Sequence, residues 1–324
     1  MQNGLIARQV LIVLALLVFF SSGSLYAQVK KESITQVVLL GTGNPQPDPD
    51  RSGPATAIVV NGSAYIVDFG PGVVRRAAAA TRKGVPALQP TSLKTVFVTH
   101  LHSDHTAGYP DLILTPWVMG RREPLEVFGP RGIKEMTEHV LAAYKEDIRI
   151  RTEGMEQIPK DSLKVNVHEI RPGIVYKDDN VTVTAFATKH GDWEESYGYR
   201  FDTADRSIVI PGDTTPIQAT IDACNGCDIL IHEALTMKYL GNPMRPNPQG
   251  HDIKEYAAKY HTTTAQLAEL AGKAKPGLLI LQHNPITLKP TRRPFASTPA
   301  DLLKEIEQAG YKGKVVVGHD LDVY

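Results

Sequence analysis

Thr99-His100-Leu101-His102-Ser103-Asp104-His105 is the stretch on which the fold of this chain turns. Three imidazoles and one carboxylate fall within six positions, directly after the apolar run Val96-Phe97-Val98. Such a run reads as a buried strand, so the cluster sits where a strand ends. In an extended chain His100 and His102 point the same way, and Asp104 and His105 then lie on the following turn. That geometry offers one pair of ligands to one metal and the next pair to a second. Neutral imidazole and carboxylate are the donors that zinc prefers. Distal donors follow: His190 in Thr188-Lys189-His190-Gly191, Asp213 in Pro211-Gly212-Asp213-Thr214, and His283 in Leu281-Gln282-His283-Asn284. Two divalent ions held about 4 Å apart require such a set, with one carboxylate bridging.

The elements around the motif are mixed. Val37 to Leu40 reads as a strand leading into Gly41-Thr42-Gly43-Asn44-Pro45. Thr56 to Val60 and Ala64 to Val67 form a hairpin turning at Asn61-Gly62. A helix is expected from Val73 to Arg82 and another from Pro110 to Met119. Ile133, Met136, Val140, Leu141 and Tyr144 keep helical spacing, and His139 falls off that stripe. Strands are expected at Val165–Ile170 and Val181–Ala187, with a hairpin from Tyr197–Phe201 to Ser207–Ile210. Ile229 to Ile231 is a further strand. Thr263 with Gln266 reads as a capping box opening a helix from Ala265 to Lys273. Leu278 to Leu281 is a strand, Asp301 to Gln308 a helix, and Val315 to Val317 a last strand. Val98, Ile210, Ile231 and Leu281 each run into polar chemistry, so the ligands gather at strand ends from two sheets, a rigid way to hold a metal site.

The 324 residues are 42% hydrophobic, enough for a large core. Lys plus Arg number 35 and Asp plus Glu number 35, a balance without the basic excess of most nucleic-acid binders. Arg8, the apolar run Val10 to Phe20, a Ser/Gly stretch and Ala27 read as a secretory signal over residues 1–27. The apolar run is short of the roughly 20 residues that span a bilayer, which favours export over an anchor. The mature domain would cover residues 28–324 and reach the periplasm or the outside. Cys224 and Cys227 lack a second pair for a structural zinc; they form a local disulfide or a redox-active pair.

The pattern His-x-His-x-Asp-His, a later His, Gly-Asp-Thr and a final His resembles the metallo-β-lactamase superfamily of two-zinc hydrolases. Gly41-Thr42-Gly43, His232-Glu233-Ala234 and His261-Thr262-Thr263 narrow the likeness to the branch of the RNase Z tRNA-processing enzymes and the zinc arylsulfatases. Leu40 to Pro45 and Arg51 to Ala55 look closest to the arylsulfatase side. The resemblance implies an α/β class fold, the αββα four-layer sandwich of two mixed sheets with helices on both outer faces. It implies two zinc ions. His100, His102 and His190 with Asp213 would bind one; Asp104, His105 and His283 with the same Asp213 would bind the other. Asp68, in Asp68-Phe69-Gly70, is the candidate for orienting an imidazole from behind.

Zinc can lower the pKa of its bound water to about 7, so a hydroxide shared by two zincs would be available to attack an ester centre. Asp104 would accept the proton of the attacking water. By the resemblance, His261 held by Glu233 would protonate the leaving oxygen, a carboxylate neighbour favouring the charged imidazole. His232 reads as buried support, His319 as surface, and Trp117 and Trp193 as ordinary packing. The expected substrate is a small sulfate or phosphate ester, as in the arylsulfatase-like group. The alternative is an RNase Z-like phosphodiesterase acting on tRNA 3′ ends, with lactonase or β-lactamase activity ranked lower. Export, zero net charge and the sequence separation of only 23 from His190 to Asp213, too short for a tRNA-binding arm, argue for a small-molecule ester and no nucleic acid. No stable membrane anchor is expected, and a homodimer is compatible with the sequence.

Overall fold

The central strands of both sheets are apolar on both faces, and that decides how the strands stack. In β1 (Thr35–Gly41), Val37 and Leu39 point into the space between two sheets, while Val38 and Leu40 point into an outer helical layer. Alternate residues on opposite faces, all buried, require cover on both sides. The computed structural model describes residues 35–241, 252–288 and 296–324. The expected leader over residues 1–27 lies outside the described residues.

The first sheet runs β1, β2 (Ala55–Val60), β3 (Ser63–Val67), β4 (Thr95–Phe97), β5 (Leu125–Gly129), β6 (Val165–Glu169), antiparallel to β3 and parallel thereafter. The second holds β7 (Gly173–Lys177), β8 (Val181–Ala187), β9 (Tyr197–Thr203), β10 (Ser207–Ile210), β11 (Ile229–His232), β12 (Leu278–Leu281) and β13 (Val315–Val317) in sequence order. It is antiparallel to β10 and parallel beyond. The outer layer of the first sheet comes from α1 (Val73–Arg82), α3 (Tyr109–Val118), α4 (Ile133–Ala143) and α5 (Lys145–Glu153); the one-turn α2 (Ser103–Thr106) belongs to the histidine motif. On the second sheet lie α6 (Gln218–Cys224), α9 (Thr264–Ala274) and α10 (Pro299–Gln308). The short α7 (Met237–Leu240) and α8 (Ile253–Tyr260) pack on Leu235 in a small cluster of their own. This is the αββα sandwich expected from the sequence, and the described residues form one compact unit.

Three local features show why these residues make these elements. Thr263 caps α9 through Gln266, as the sequence pattern predicts. Pro116 inside α3 has no N–H for the Leu112 carbonyl, so the buried Arg121 supplies it: Nη1 donates to Leu112 O (3.1 Å) and Nη2 to Ile113 O (3.0 Å). The free edge of β1 is closed by the chain end, where Val37 and Tyr324 exchange backbone hydrogen bonds at 3.0 and 2.9 Å. Among the described residues no helix is long and apolar enough to cross a membrane. The parallel strands β4, β10, β11 and β12 deliver residues 100, 213, 233 and 283 just beyond their carboxyl ends, where α/β sheets hold ligands.

Candidate active site

The motif after β4 meets the distal donors as the sequence pattern anticipates. His100 Nε2 lies 2.9 Å from His102 Nδ1, and His190 Nε2 lies 3.1 Å from the same atom. On the other side, His105 Nε2 lies 3.4 Å from His283 Nε2 and 3.5 Å from Asp213 Oδ1. Asp213 Oδ2 is 3.0 Å from His283 Nε2 and 3.9 Å from His190 Nε2, so this carboxylate sits between the two groups. Asp104 Oδ2 is 3.5 Å from His283 Nε2 and, though buried, makes no hydrogen bond. Two local backbone choices make this convergence possible. Gly212 adopts φ +69° and packs where a Cβ would stand 2.7 Å from the Thr99 Cβ, which lets Asp213 approach the motif. Gly191, at φ +58°, leaves room for the Tyr260 ring.

The backs of the imidazoles are held. His190 Nδ1 donates to the Tyr260 carbonyl (2.7 Å), His283 Nδ1 to the Gly43 carbonyl (2.7 Å), and His105 Nδ1 to Asp68 Oδ2 (2.8 Å). Each of these rings therefore turns an Nε2 lone pair inward. With these two rings neutral, lone pairs 3.4 Å apart beside Asp213 and an unpartnered carboxylate oxygen of Asp104 suit a cation between them. The donor set thus fits divalent metal, and two His/Asp groups, His100–His102–His190 and Asp104–His105–His283, each bring their ligand atoms within 4.8 Å of one another. The electrostatics agree. Burial pushes His100, His102 and His190 below the usual imidazole range, leaving them neutral and able to ligate. Burial also opposes charge on His105 and His283, but carboxylates overcome it: Asp68 and Asp213 hold His105 well above its ordinary value, and Asp213 lifts His283 to about 9. Burial opposes the charge on Asp213 too, yet His283 and His105 hold it well below the ordinary carboxylate range. A divalent ion would supply the positive charge that these protons supply without it.

Glu233 and His261 arrive from β11 and the α8–α9 junction. His261 Nδ1 lies 2.7 Å from Glu233 Oε2 and 4.0 Å from Asp213 Oδ2. Glu233 Oε1 is fixed by the Thr214 N–H at 2.9 Å. Burial lowers the His261 pKa, but Glu233 outweighs it and the net shift is upward. A cavity of about 580 Å³ opens over His102, Asp104, Asp213, Glu233 and His261, and Leu235, Tyr239, Ile253 and Tyr256 form its apolar wall.

All nine sequence-predicted site residues converge here, and Asp68 stands behind His105 as anticipated. His232 is buried support and His319 is exposed, also as expected. Trp117 is ordinary core. Trp193 is not: its indole N–H donates to His102 Nε2 at 3.0 Å, so the packing reading of that residue is corrected. The cysteines form a disulfide, Cys224–Cys227. Sequence reasoning missed Tyr256, Tyr260 and the whole of α8, although Ile253, Tyr256, Ala257 and Tyr260 carry the i, i+3, i+4, i+7 signature of an amphipathic helix. It also missed Asn284, whose side-chain oxygen accepts the Ala234 N–H at 2.6 Å and ties the turns after β11 and β12 together.

The family described as the β-lactamase superfamily domain matches residues 64–284. Ribonuclease Z from Mycobacterium sp. (strain KMS) is 37% identical over 251 residues, 76% of this chain and 83% of that protein. Ribonuclease Z from Mycobacterium bovis (strain BCG / Pasteur 1173P2) is 32% identical over 289 residues, 88% of this chain and 96% of that one. The short form of human tRNase Z has a similar fold, with TM-score 0.61 and 20% identity, covering 89% of this chain and 98% of the other. These relatives correct the expectation of a small-molecule ester and no nucleic acid, and with it the arylsulfatase-like reading. Zero net charge averages over the whole surface and does not describe a local binding face. The short β9–β10 hairpin leaves out an arm at that place only.

Proposed function

Since the chain belongs to the β-lactamase superfamily of hydrolases and its curated relatives are ribonucleases Z, we propose that it is a two-zinc phosphodiesterase that cleaves RNA. His100, His102 and His190 with Asp213 would hold one ion, and Asp104, His105 and His283 with Asp213 the other. Bound there, the pair would make water nucleophilic near neutral pH and draw charge from the phosphoryl oxygens. Asp104 accepts the proton of the attacking water through its unpartnered Oδ2. Glu233 holds Nδ1 of His261 and favours its charged form, and His261 lines the cavity. From there it gives a proton to the departing alcohol oxygen. A nucleoside hydroxyl is a poor leaving group and needs that proton, so the Glu233–His261 pair beside the metal cluster is the observation that supports phosphodiester cleavage. Export remains part of this proposal; the Cys224–Cys227 disulfide supports it, because such bonds persist in oxidising compartments.

The test compares zinc-loaded protein on a precursor tRNA and on bis(nitrophenyl) phosphate, with His261→Ala alongside. Wild type should cleave both, and chelation should stop both. His261→Ala should keep its zinc, lose about 10²- to 10⁴-fold on the RNA and far less on the nitrophenyl ester. Turnover of the nitrophenyl ester with no cleavage of any RNA would overturn the substrate reading; equal losses on both substrates would remove His261 as the acid.

A further inference from the structure

One polar group faces the candidate acid from the cavity wall without a role so far. The Tyr256 hydroxyl lies 3.4 Å from His261 Nε2, the nitrogen left over once Nδ1 is held by Glu233. The phenol is not loosely placed. Its ring stacks on Tyr260, one turn further along α8, at 4.7 Å and 16°. Tyr260 is itself pinned, its hydroxyl donating to Asp192 (2.7 Å) and its carbonyl accepting from His190 Nδ1 (2.7 Å). Lys259 closes on the same Asp192 at 2.5 Å. One short helix therefore grips a candidate ligand at its end and the candidate acid from its side. Burial, with Asp213 and Glu233 nearby, pushes the phenol up to about 12, so near neutral pH it is an uncharged hydroxyl that can accept a hydrogen bond.

We propose that Tyr256 is a positioning residue for the proton donor: its hydroxyl accepts the Nε2–H of His261 in the free protein and keeps that N–H aimed into the cavity until the substrate's leaving oxygen takes its place. The inference rests on the reading of His261 as the acid. The contact is long, which suits a placeholder that a better acceptor displaces. In the transfer, the His261 Nε2–H bond breaks and the alcohol O–H forms as the P–O bond cleaves. The imidazole is left neutral, with Nδ1–H still on Glu233. Tyr256 neither gains nor loses a proton overall.

Tyr256→Phe removes the hydroxyl and keeps the ring on Tyr260. Single-turnover cleavage of a precursor tRNA should fall about 10-fold, which is about 1.4 kcal/mol, the size of one hydrogen bond. KM and zinc content should not move, and the rate on bis(nitrophenyl) phosphate should stay within about twofold. In the His261→Ala background the same change should cost nothing more, because the hydroxyl acts only through that ring. An activity-independent readout is the imidazole Nε2–H of His261 in histidine-labelled protein by NMR, which should shift and exchange faster with solvent in Tyr256→Phe. Equal slowing of both substrates, a further loss on top of His261→Ala, or an unmoved His261 resonance would each overturn the proposal. If His261→Ala itself slows both substrates alike, the acid assignment fails and the positioning role falls with it.

Discussion

Asp68→Asn is the sharpest probe of the metal reading, because it changes one atom behind the cluster and nothing inside it. Asp68 Oδ1 accepts from the Thr99 N–H (2.8 Å) and from Thr99 Oγ1 (3.0 Å), while Oδ2 accepts from His105 Nδ1 (2.8 Å). Asparagine can keep its oxygen on the Thr99 side and so preserve the turn after β4. Its NH₂ then faces His105 Nδ1, donor against donor. The ring escapes by moving its proton to Nε2, so that Nδ1 accepts from the amide. That proton now points at the place where His105 must offer a lone pair, 3.4 Å from His283 Nε2 and 3.5 Å from Asp213 Oδ1. Turning the amide over instead would strand the buried Thr99 N–H, so the tautomer change is the cheaper outcome. Loss of such a supporting contact typically lowers metal affinity 10- to 100-fold, about 1.4 to 2.7 kcal/mol. The assay is competitive zinc titration against a chromophoric chelator, beside thermal melting of the metal-free protein. Zinc affinity should fall by that amount with little change in melting, whereas Asp68→Ala should lower both. Affinity within about twofold of wild type in a folded Asp68→Asn protein would refute the argument that Asp68 sets the His105 tautomer.

Two further outcomes follow from the geometry. Gly191→Ala places a Cβ 1.7 Å from the Tyr260 ring at a φ of +58°, so denaturant unfolding should show a loss of at least about 1–2 kcal/mol, the cost of a left-handed alanine, with weaker zinc binding because Tyr260 backs His190. Unchanged stability would show that α8 does not need that approach. Asp178 is partly buried, which opposes its charge, but Tyr65 (2.6 Å), Tyr176 (3.0 Å) and the N–H groups of Asn180 and Val181 hold its pKa below the ordinary value. A depressed folded-state pKa stabilises above the unfolded value of about 3.9 and loses that stabilisation as pH falls through the folded value. The melting-temperature gap between wild type and Asp178→Asn should therefore be constant above about pH 5 and close below about pH 4; a gap that widens in acid would reverse the assignment.

Local patterns carried much of the fold. α1 at Val73–Arg82, β8 at Val181–Ala187 and β12 at Leu278–Leu281 lie where spacing and turn residues put them, because burial on a defined face leaves a periodic trace. β7 escaped because Gly173–Lys177 is largely exposed, with Ile174 at 69%, so no alternation marks it. α5, Lys145–Glu153, buries only Ile148 and reads as a polar run. α8 carries a legible helical period in Ile253, Tyr256, Ala257 and Tyr260, directly before His261.

By itself the sequence determined the chemical types and their order: three histidines and an aspartate after one strand, then His190, Asp213, Glu233 and His283 at the ends of others, with His261 just before a capped helix. Those types are legible because metal ligation and proton transfer admit few side chains. Only the tertiary structure decided the distances and the supports: that Asp213 stands between two imidazole groups, that Asp68 and the Tyr260 and Gly43 carbonyls fix which nitrogen of each ring faces inward, and that Tyr256 reaches His261. These depend on how two sheets and α8 pack over separations of up to 240 residues between partners such as Gly43 and His283, and no local pattern encodes a contact across such a span.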